Sequence, residues 1–322
     1  MTNETTPPGS SSTETGSAEP TSSDEPTFRA GFVAILGLAN VGKSTLLNAL
    51  VGERLSIVTP KAQTTRRRLL GIYTDAKHQA LFLDTPGWLE PRYALQEAMQ
   101  AEASGALADA DVVVAVVDAA FEPSLQWVKS LDCRSRRKML CINKIDRITE
   151  SRLEDLVEEF HEAGWDTIVP TAADREFGTE ALRRSILESL PESPAYYPGD
   201  ELSDAPERDF VAEFVRETCF EELGQEVPYA VAVRVEEFKD RGPNQPTYIE
   251  AILYVEKESQ KGIVIGAGGK MIRRIGVASR TKIEDFLERK VYLELRVKVL
   301  ANWRKQYKHL RVLGFRIPAE EG

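Results

Sequence analysis

The chain has 322 residues, 42% hydrophobic and 29% charged, which suits two water-facing globular domains, each with its own core. The formal net charge is −10, yet residues 257–316 hold 16 Lys/Arg against five Asp/Glu, so a basic C-terminal segment sits on an acidic body and points to a local polyanion site. No apolar run approaches the ~20 residues of a membrane span, no basic-then-apolar leader opens the chain, and three cysteines without a CxxC pair argue against disulfides and zinc, so a cytoplasmic protein is expected.

Residues 1–28 are rich in Ser, Thr, Pro, Gly and Glu and lack Lys and Arg. Such a segment buries too little to offset its ordering entropy and is expected to be a disordered tail. From Gly31 onward, apolar runs alternate with amphipathic stretches: "GFVAILG", "QALFLDTPG", "DVVVAVVDAA", "RKMLCINKID" and "TIVPTAA" read as strands buried on both faces. "KSTLLNALVG", "SRLEDLVEEFHEAG" and "TEALRRSILESL" read as crossover helices. Residues 29–192 are therefore predicted to be an α/β domain, a mostly parallel sheet with helices on both faces. Residues 193–208, proline-rich and acidic, read as a linker.

A second, smaller α+β domain is predicted over residues 209–318. Its first helix places Phe210, Phe214 and Val215 on one face. "VPYAVAVRVEEF" alternates Tyr229, Val231, Val233 and Val235 as a half-buried strand, and "TYIEAILYVEKE" supplies a second. A short helix, a glycine stretch, a helix through about Arg289, the strand "VYLELRVKVL" and a closing helix over "WRKQYKHLRVLG" complete an α-β-β-α-α-β order with a tail helix.

Residues 37–44, "GLANVGKS", satisfy G-x-x-x-x-G-K-[ST] between a strand and a helix. Gly37 and Gly42 let the backbone N–H groups face phosphate, with Asn40, Val41 and Thr45 in the same loop. Lys43 neutralises β- and γ-phosphates, and Ser44 offers a hydroxyl to Mg²⁺ at a helix N-terminus. Asp84 of "DTPG" can hold Mg²⁺ through water, and Gly87 can donate its N–H to the γ-phosphate. "NKID", from Asn143 to Asp146, is the base-selecting element. The Asp146 carboxylate can accept from the N1–H and exocyclic amine of guanine, a donor pair adenine lacks. Lys144 would cover the base with its alkyl stem.

GKS, DTPG and NKID in this order, on successive strand ends, are similar to the signature of P-loop GTPases. The resemblance implies GTP/GDP and Mg²⁺ as ligands. It assigns Thr171 and Ala172 of "TAA" to the last base-contacting loop, where Ala173 departs from the usual charged residue. It also assigns "KAQTTRRR" to the switch I loop. There Thr64 or Thr65 would close on Mg²⁺ and the γ-phosphate, with Thr65 taken as the ligand beside Ser44 and Asp84. Lys43, Thr65 and Gly87 are then the catalytic set. Many such enzymes carry a glutamine just after this glycine to orient water. Here Trp88 stands there, and an indole cannot polarise water, so slow intrinsic hydrolysis is expected.

"IVIGAGGKMIRRIG", residues 263–276, is not a second phosphate loop: Val264 and Met271 occupy positions where the known patterns need glycine or a hydroxyl residue. What remains is G-x-x-G between two short helices, as in a KH domain, where such a loop clamps the backbone of about four nucleotides. Ile265, Gly266, Ala267, Gly268, Gly269, Lys270, Arg273 and Arg274 are the candidate RNA contacts, and Ile263, Val264 and Ile265 could line a groove for bases. The element order is that of the type II KH domain.

Together with "VPYAV", "VIGxxG" and "LELRVKV", these motifs resemble the Era family of bacterial GTPases from about Gly31 to Gly314, leaving the N-terminal extension outside. The resemblance implies a GTPase that binds the 3′ end of small-subunit (16S) rRNA and acts in 30S subunit assembly and rRNA maturation. It also implies loose association with the inner face of the cell membrane, and a monomer is expected. Competing expectations are an RNA-binding assembly factor with little turnover and a membrane-associated regulatory GTPase. The middle of the loop, Ala267 and Gly268, lacks the lysine common in that family, while Lys270 lies just beyond it.

Overall fold

The computed structural model describes residues 27–59, 61, 64–131, 137–242 and 245–317. The expectation of disorder for residues 1–28 thus falls outside the described residues except at Thr27 and Phe28, as do Ala62 and Gln63 of the threonine loop and Cys133.

The first domain comprises β1 (Arg29–Leu36), α1 (Lys43–Val51), β2 (Leu69–Thr74), β3 (His78–Asp84), α2 (Ala94–Asp109), β4 (Val112–Asp118), α3 (Glu122–Ser130), β5 (Arg137–Asn143), α4 (Glu150–Glu162), β6 (Ile168–Pro170) and α5 (Thr179–Ser189). Its sheet has the order β2-β3-β1-β4-β5-β6. All neighbours run parallel except β2 and β3. Strand β2 had not been anticipated from its sequence, "LLGIYT". It forms because a tight turn returns the chain into β3: the Asp75 carboxylate accepts the N–H of Lys77 at 2.7 Å and of His78 at 2.8 Å.

The strands bury both faces. Val33, Ile35, Val114 and Val116 pack with Leu46 and Leu50 of α1 and with Leu182 and Ile186 of α5. On the other face, Ala34, Leu36 and Val113 meet Ala106 of α2, while Val117 and Ile142 meet Leu125, Leu156 and Phe160 of α3 and α4. This is why the strand sequences read as unbroken apolar runs. With β1 between β3 and β4, the carboxyl ends of these strands open onto one crevice, the usual ligand position in a parallel sheet.

The second domain comprises α6 (Glu207–Glu222), α7 (Val227–Ala230), β7 (Ala232–Lys239), β8 (Thr247–Val255), α8 (Glu258–Ile265), α9 (Lys270–Leu287), β9 (Val291–Val299) and α10 (Tyr307–Val312). Its sheet is β7-β8-β9, antiparallel then parallel. Phe210, Phe214 and Val215 are buried on the inner face of α6, as expected. Two expectations are corrected. Val227–Ala230 is a helical turn rather than the start of the strand, because Pro228 suits a first helical turn; Tyr229 packs edge-on against Phe220 at 5.4 Å, and β7 begins only at Ala232. The closing segment is not one helix. A 3-10 turn, Trp303–Lys305, is separated from α10 by Gln306, whose backbone is extended.

The linker is not a loose tether. It crosses from β1 and β3 to the outer edge strand β2 of the first sheet. Buried Gln79 binds the backbone of Tyr196 and Tyr197, the Ile72 N–H donates to Leu202 O at 2.8 Å, and Tyr196 packs its ring 5.4 Å from Phe32. The domains meet across α2 and the C-terminal segment: Leu95 and Met99 pack with fully buried Trp303, Leu310 and Phe315, and the Trp303 indole donates to Ala230 O at 2.8 Å.

Candidate functional site

The crevice at the strand ends is a cleft of about 900 Å³. Gly37 and Val41 are buried beneath its floor, Asn40 is exposed on its rim, and Gly42, Lys43, Ser44 and Thr45 line it. Lys43 opens α1, and its ammonium donates to Gly37 O at 3.1 Å and Leu38 O at 2.9 Å. Burial pushes this ammonium down to about 8, against the pull of nearby Asp84.

Asp84, at the end of β3, is completely buried. Its Oδ2 accepts from Ser44 at 2.9 Å and from Ser56 at 2.8 Å. The Thr65 hydroxyl is 2.9 Å from Ser44 Oγ and 3.4 Å from Asp84 Oδ2. Of the two candidate threonines, Thr65 is thus the one whose hydroxyl reaches the P-loop serine, while the Thr64 carbonyl is bound by Arg216 of α6. Burial raises the Asp84 carboxyl, and Lys43 with the three hydroxyls only partly offsets this. Its Oδ1 is buried without a hydrogen-bond partner.

These oxygens fit Mg²⁺. Ser44, Thr65 and Asp84 form a hard donor set, and Asp84 keeps its other carboxylate oxygen without a hydrogen-bond partner. Among the described residues, no group of three or more His, Cys, Asp and Glu could hold a metal alone. A cation bound through one carboxylate, hydroxyls, phosphate and water is the habit of Mg²⁺.

Gly87 sits against the P-loop. A Cβ there would lie 2.8 Å from the Ala39 backbone, so only glycine permits the approach. The next residue fixes the loop: the Trp88 N–H donates to Gly37 O at 2.9 Å, and its ring packs 6.2 Å from Trp127.

At the base end, the Asn143 amide donates to Val41 O at 2.8 Å, and its carbonyl accepts from the Thr171 hydroxyl and the Ala173 N–H, both at 3.1 Å. At Ala173 it is the backbone, not the side chain, that makes this contact. Lys144 pairs with Asp118 at 2.8 Å across the cleft wall. Asp146 is held at 3.1 Å by Arg175, with its side chain 16% exposed. Thr171 and Ala172 are buried behind the wall, and the Ala172 N–H is spent on Phe177 O at 3.0 Å. The structure brings these two to the base loop as braces rather than as exposed contacts.

Four contributors were not read from the sequence. Ser56 binds Asp84; Asn48 accepts the N–H of Leu55 and Ser56, which positions that serine; Asp118 sets Lys144; and Phe121 is exposed at the cleft mouth. None lies in a spaced motif. Only the end of an apolar strand, at Asp118, marks one of them.

In the second domain, Gly266 ends α8 with φ 71°, and a Cβ would meet Met271 at 2.7 Å. Ala267 and Gly268 are exposed, Gly269 and Ile265 half-buried, and Lys270 and Arg273 project from the first turns of α9. Among the described residues, neither Lys270 nor Arg273 has a carboxylate within ion-pair distance, whereas Arg274 pairs with Glu222 of α6. Val264 is fully buried and drops out of the base-lining groove; Ile263, half exposed, remains.

The comparisons agree with this division. Residues 32–144 match a family model described as 50S ribosome-binding GTPase, and residues 226–304 match a KH domain. The chain is 42% identical over 295 residues to GTPase Era of Lactobacillus helveticus, covering 91% of this chain and 98% of that protein.

The chain belongs to the Era family of GTPases.

A plant family member, the chloroplastic GTPase ERA1 of Zea mays, is 41% identical, covering 89% of this chain and 70% of that protein. Among solved Era structures, one from Aquifex aeolicus bound to GDP·AlF4⁻ has a TM-score of 0.85 at 36% identity, covering 90% of this chain and all of that one. Another, in complex with MgGDPNP and nucleotides 1506–1542 of 16S ribosomal RNA, has a TM-score of 0.85 at 37% identity, with 90% and 100% covered. The fold is thus a P-loop GTPase domain followed by a type II KH domain, and the family's enzymatic activity is GTP hydrolysis. No helix among the described residues is long and apolar enough to cross a membrane.

Proposed function

We propose that this chain is a GTP-hydrolysing switch that binds the 3′ end of 16S rRNA through its KH loop and acts in 30S subunit assembly and rRNA maturation. The proposed domains are residues 29–192 for GTP and 209–318 for RNA. One observation carries the switch: the loop that brings Thr65 to Ser44 and Asp84 is held at its neighbouring residues by the second domain. Lys61 donates to Leu223 O at 2.9 Å, Arg66 donates to Val231 O at 2.7 Å and Tyr229 O at 2.8 Å, and Arg67 binds Leu313 O. Any movement of Thr65 must therefore be transmitted to, or resisted by, the KH side.

In the catalytic reading, Lys43 and the loop N–H groups hold the phosphates, Asp146 selects guanine, and Gly87 presents its N–H where the γ-phosphate would lie. Ser44, Thr65 and Asp84 would hold Mg²⁺, which would supply charge neutralisation to the phosphates. Trp88 gives no group to orient water, so intrinsic turnover is slow. On the RNA side, Lys270 and Arg273 supply unpaired charge beside a loop whose glycines admit a sugar-phosphate backbone.

The test is crosslinking of bound RNA in cells, comparing wild type with Gly268→Asp. Gly268 has open space around it, and its left-handed φ of 59° is a conformation that Asp adopts more readily than most side chains, so the variant adds a carboxylate to the clamp without a steric clash. Loss of an rRNA 3′-end footprint is expected, and an unchanged footprint removes the loop from the reading. Peripheral association with the inner membrane face, implied by the family resemblance alone, is part of the same proposal. Flotation with anionic vesicles checks it, and a salt-independent absence of binding rejects it.

A further inference from the structure

Between the domains lies a second cavity, of about 380 Å³, at the lower end of the ~300–1,000 Å³ usual for small-molecule sites. One wall is the switch I segment with Leu55; the other is α6, β7 and the chain after α10. It shares Thr65 and Ile57 with the nucleotide cleft.

The walls are rich in guanidinium. Arg66, Arg67, Arg208, Arg216 and Arg234 line them, with Arg68 at the edge. Three carboxylates, Asp209, Glu213 and Glu236, share the lining. Glu213 is committed to Arg216, with a 2.9 Å contact to its Nε, and Glu236 approaches Arg234 at 3.6 Å. Arg68 is turned to Asp109 at 2.6 Å. Arg66 and Arg67 bind only backbone carbonyls and aromatic rings: Trp303 lies 5.7 Å from Arg66, and Phe315 lies 4.7 Å from Arg67. Among the described residues, no carboxylate lies within ion-pair distance of either. Arg216 is 3% exposed, and its Nη1 has no hydrogen-bond partner. Burial, followed by the Arg216 charge beside it, pushes the Arg66 guanidinium down to about 9, with the Glu213 carboxylate only partly offsetting them. Glu213 and Asp209 offset part of this charge from beyond ion-pair distance, but the arginines of the lining outnumber its three carboxylates and one buried donor has no acceptor, an excess that a single bound anion relieves.

We propose that this inter-domain cavity binds a phosphate ester of mononucleotide size. The arginines take the phosphate, and Leu55, Phe210, Val233 and Leu313, which share the lining, receive the remainder. Guanidinium is the group best matched to phosphate oxygens. Because one wall carries Thr65 and the other belongs to the KH domain, an occupant would fasten the switch in its present contact with that domain.

The probe is adenosine 5′-monophosphate, whose base the guanine cleft rejects, titrated calorimetrically into the full chain saturated with GDP. One saturable site is expected, and adenosine without phosphate should not bind. Arg216→Gln should weaken AMP by about tenfold or more, as should Arg208→Gln, which lies exposed on the rim and spares the fold if the first variant does not. The paired variant Lys270→Gln, Arg273→Gln should leave AMP binding unchanged. Absence of saturable binding at millimolar AMP, equal binding of adenosine, or loss of binding in the KH-loop variant instead of the cavity variants would overturn the proposal. GDP binding, measured on the same samples, reports separately on the GTPase reading.

Discussion

Asp84 gathers three hydroxyls on one oxygen and leaves the other bare, which makes single-atom changes there informative. Thr65→Val keeps the volume of the side chain but removes the hydroxyl. It should lower GTP hydrolysis by about 10²-fold while Thr64→Val changes it little, checked by single-turnover assays at saturating Mg²⁺. Asp146→Ala should weaken GTP by about 10²-fold or more and leave Arg175 without its partner, checked by titration with GTP against ATP. The thiols give an opposite kind of expectation. Burial pushes both Cys141 and Cys219 up to about 12, so neither ionises near neutrality and both should resist alkylation at pH 7–8 until the protein unfolds. Peptide mass mapping reads each separately from Cys133. At this scale the sequence was informative wherever a motif fixed spacing: Lys43, Ser44, Asp84 and Asn143 stand where their patterns put them. Ser56 and Asn48 were not legible, because their roles come from a loop folded back onto Asp84, which no spacing encodes.

At the level of elements, five of the six strands of the first sheet could be read from apolar runs, because burial on both faces leaves that mark in sequence. Strand β2 could not, since it follows the arginines of the switch loop and pairs antiparallel at the edge. The helical turn at Val227–Ala230 shows the reverse limit. Alternation of Tyr229, Val231, Val233 and Val235 mimics a strand, but Pro228 and the packing of Tyr229 on Phe220 decide for a helix. The break between Trp303–Lys305 and α10 serves the interface, because it lets Trp303 turn inward to Ala230 while α10 lies on α2. Trp303→Ala should cost about 3–5 kcal/mol, the range for deleting a buried large aromatic side chain. Denaturant unfolding checks this, and loss of coupling between nucleotide state and RNA binding should accompany it.

For the whole molecule, the joined domains predict a reciprocity. If GTP strengthens RNA binding, RNA must strengthen GTP binding by the same factor, because both act on one equilibrium. Titrating GTP and GDP with and without a 16S 3′-end oligonucleotide tests this; nucleotide affinities indifferent to RNA would sink the coupling. Arg66→Ala, which removes two contacts to the KH side without touching either ligand, should shrink that factor toward one.

The strapped linker adds a geometric consequence. A chain of its length, if free, would let the RNA-binding half wander in a wide sphere around the GTPase half. Pinned as it is from Tyr196 to Ser203 along β2 and β3, it leaves only the few residues between Ser203 and Glu207 to act as a pivot. Travel of the KH half becomes rotation about a short axle at the sheet edge rather than diffusion on a leash. The strap also covers the outward-facing Ile72 N–H of an edge strand, so a protease cut within it would free the pivot and bare a sticky edge in one event.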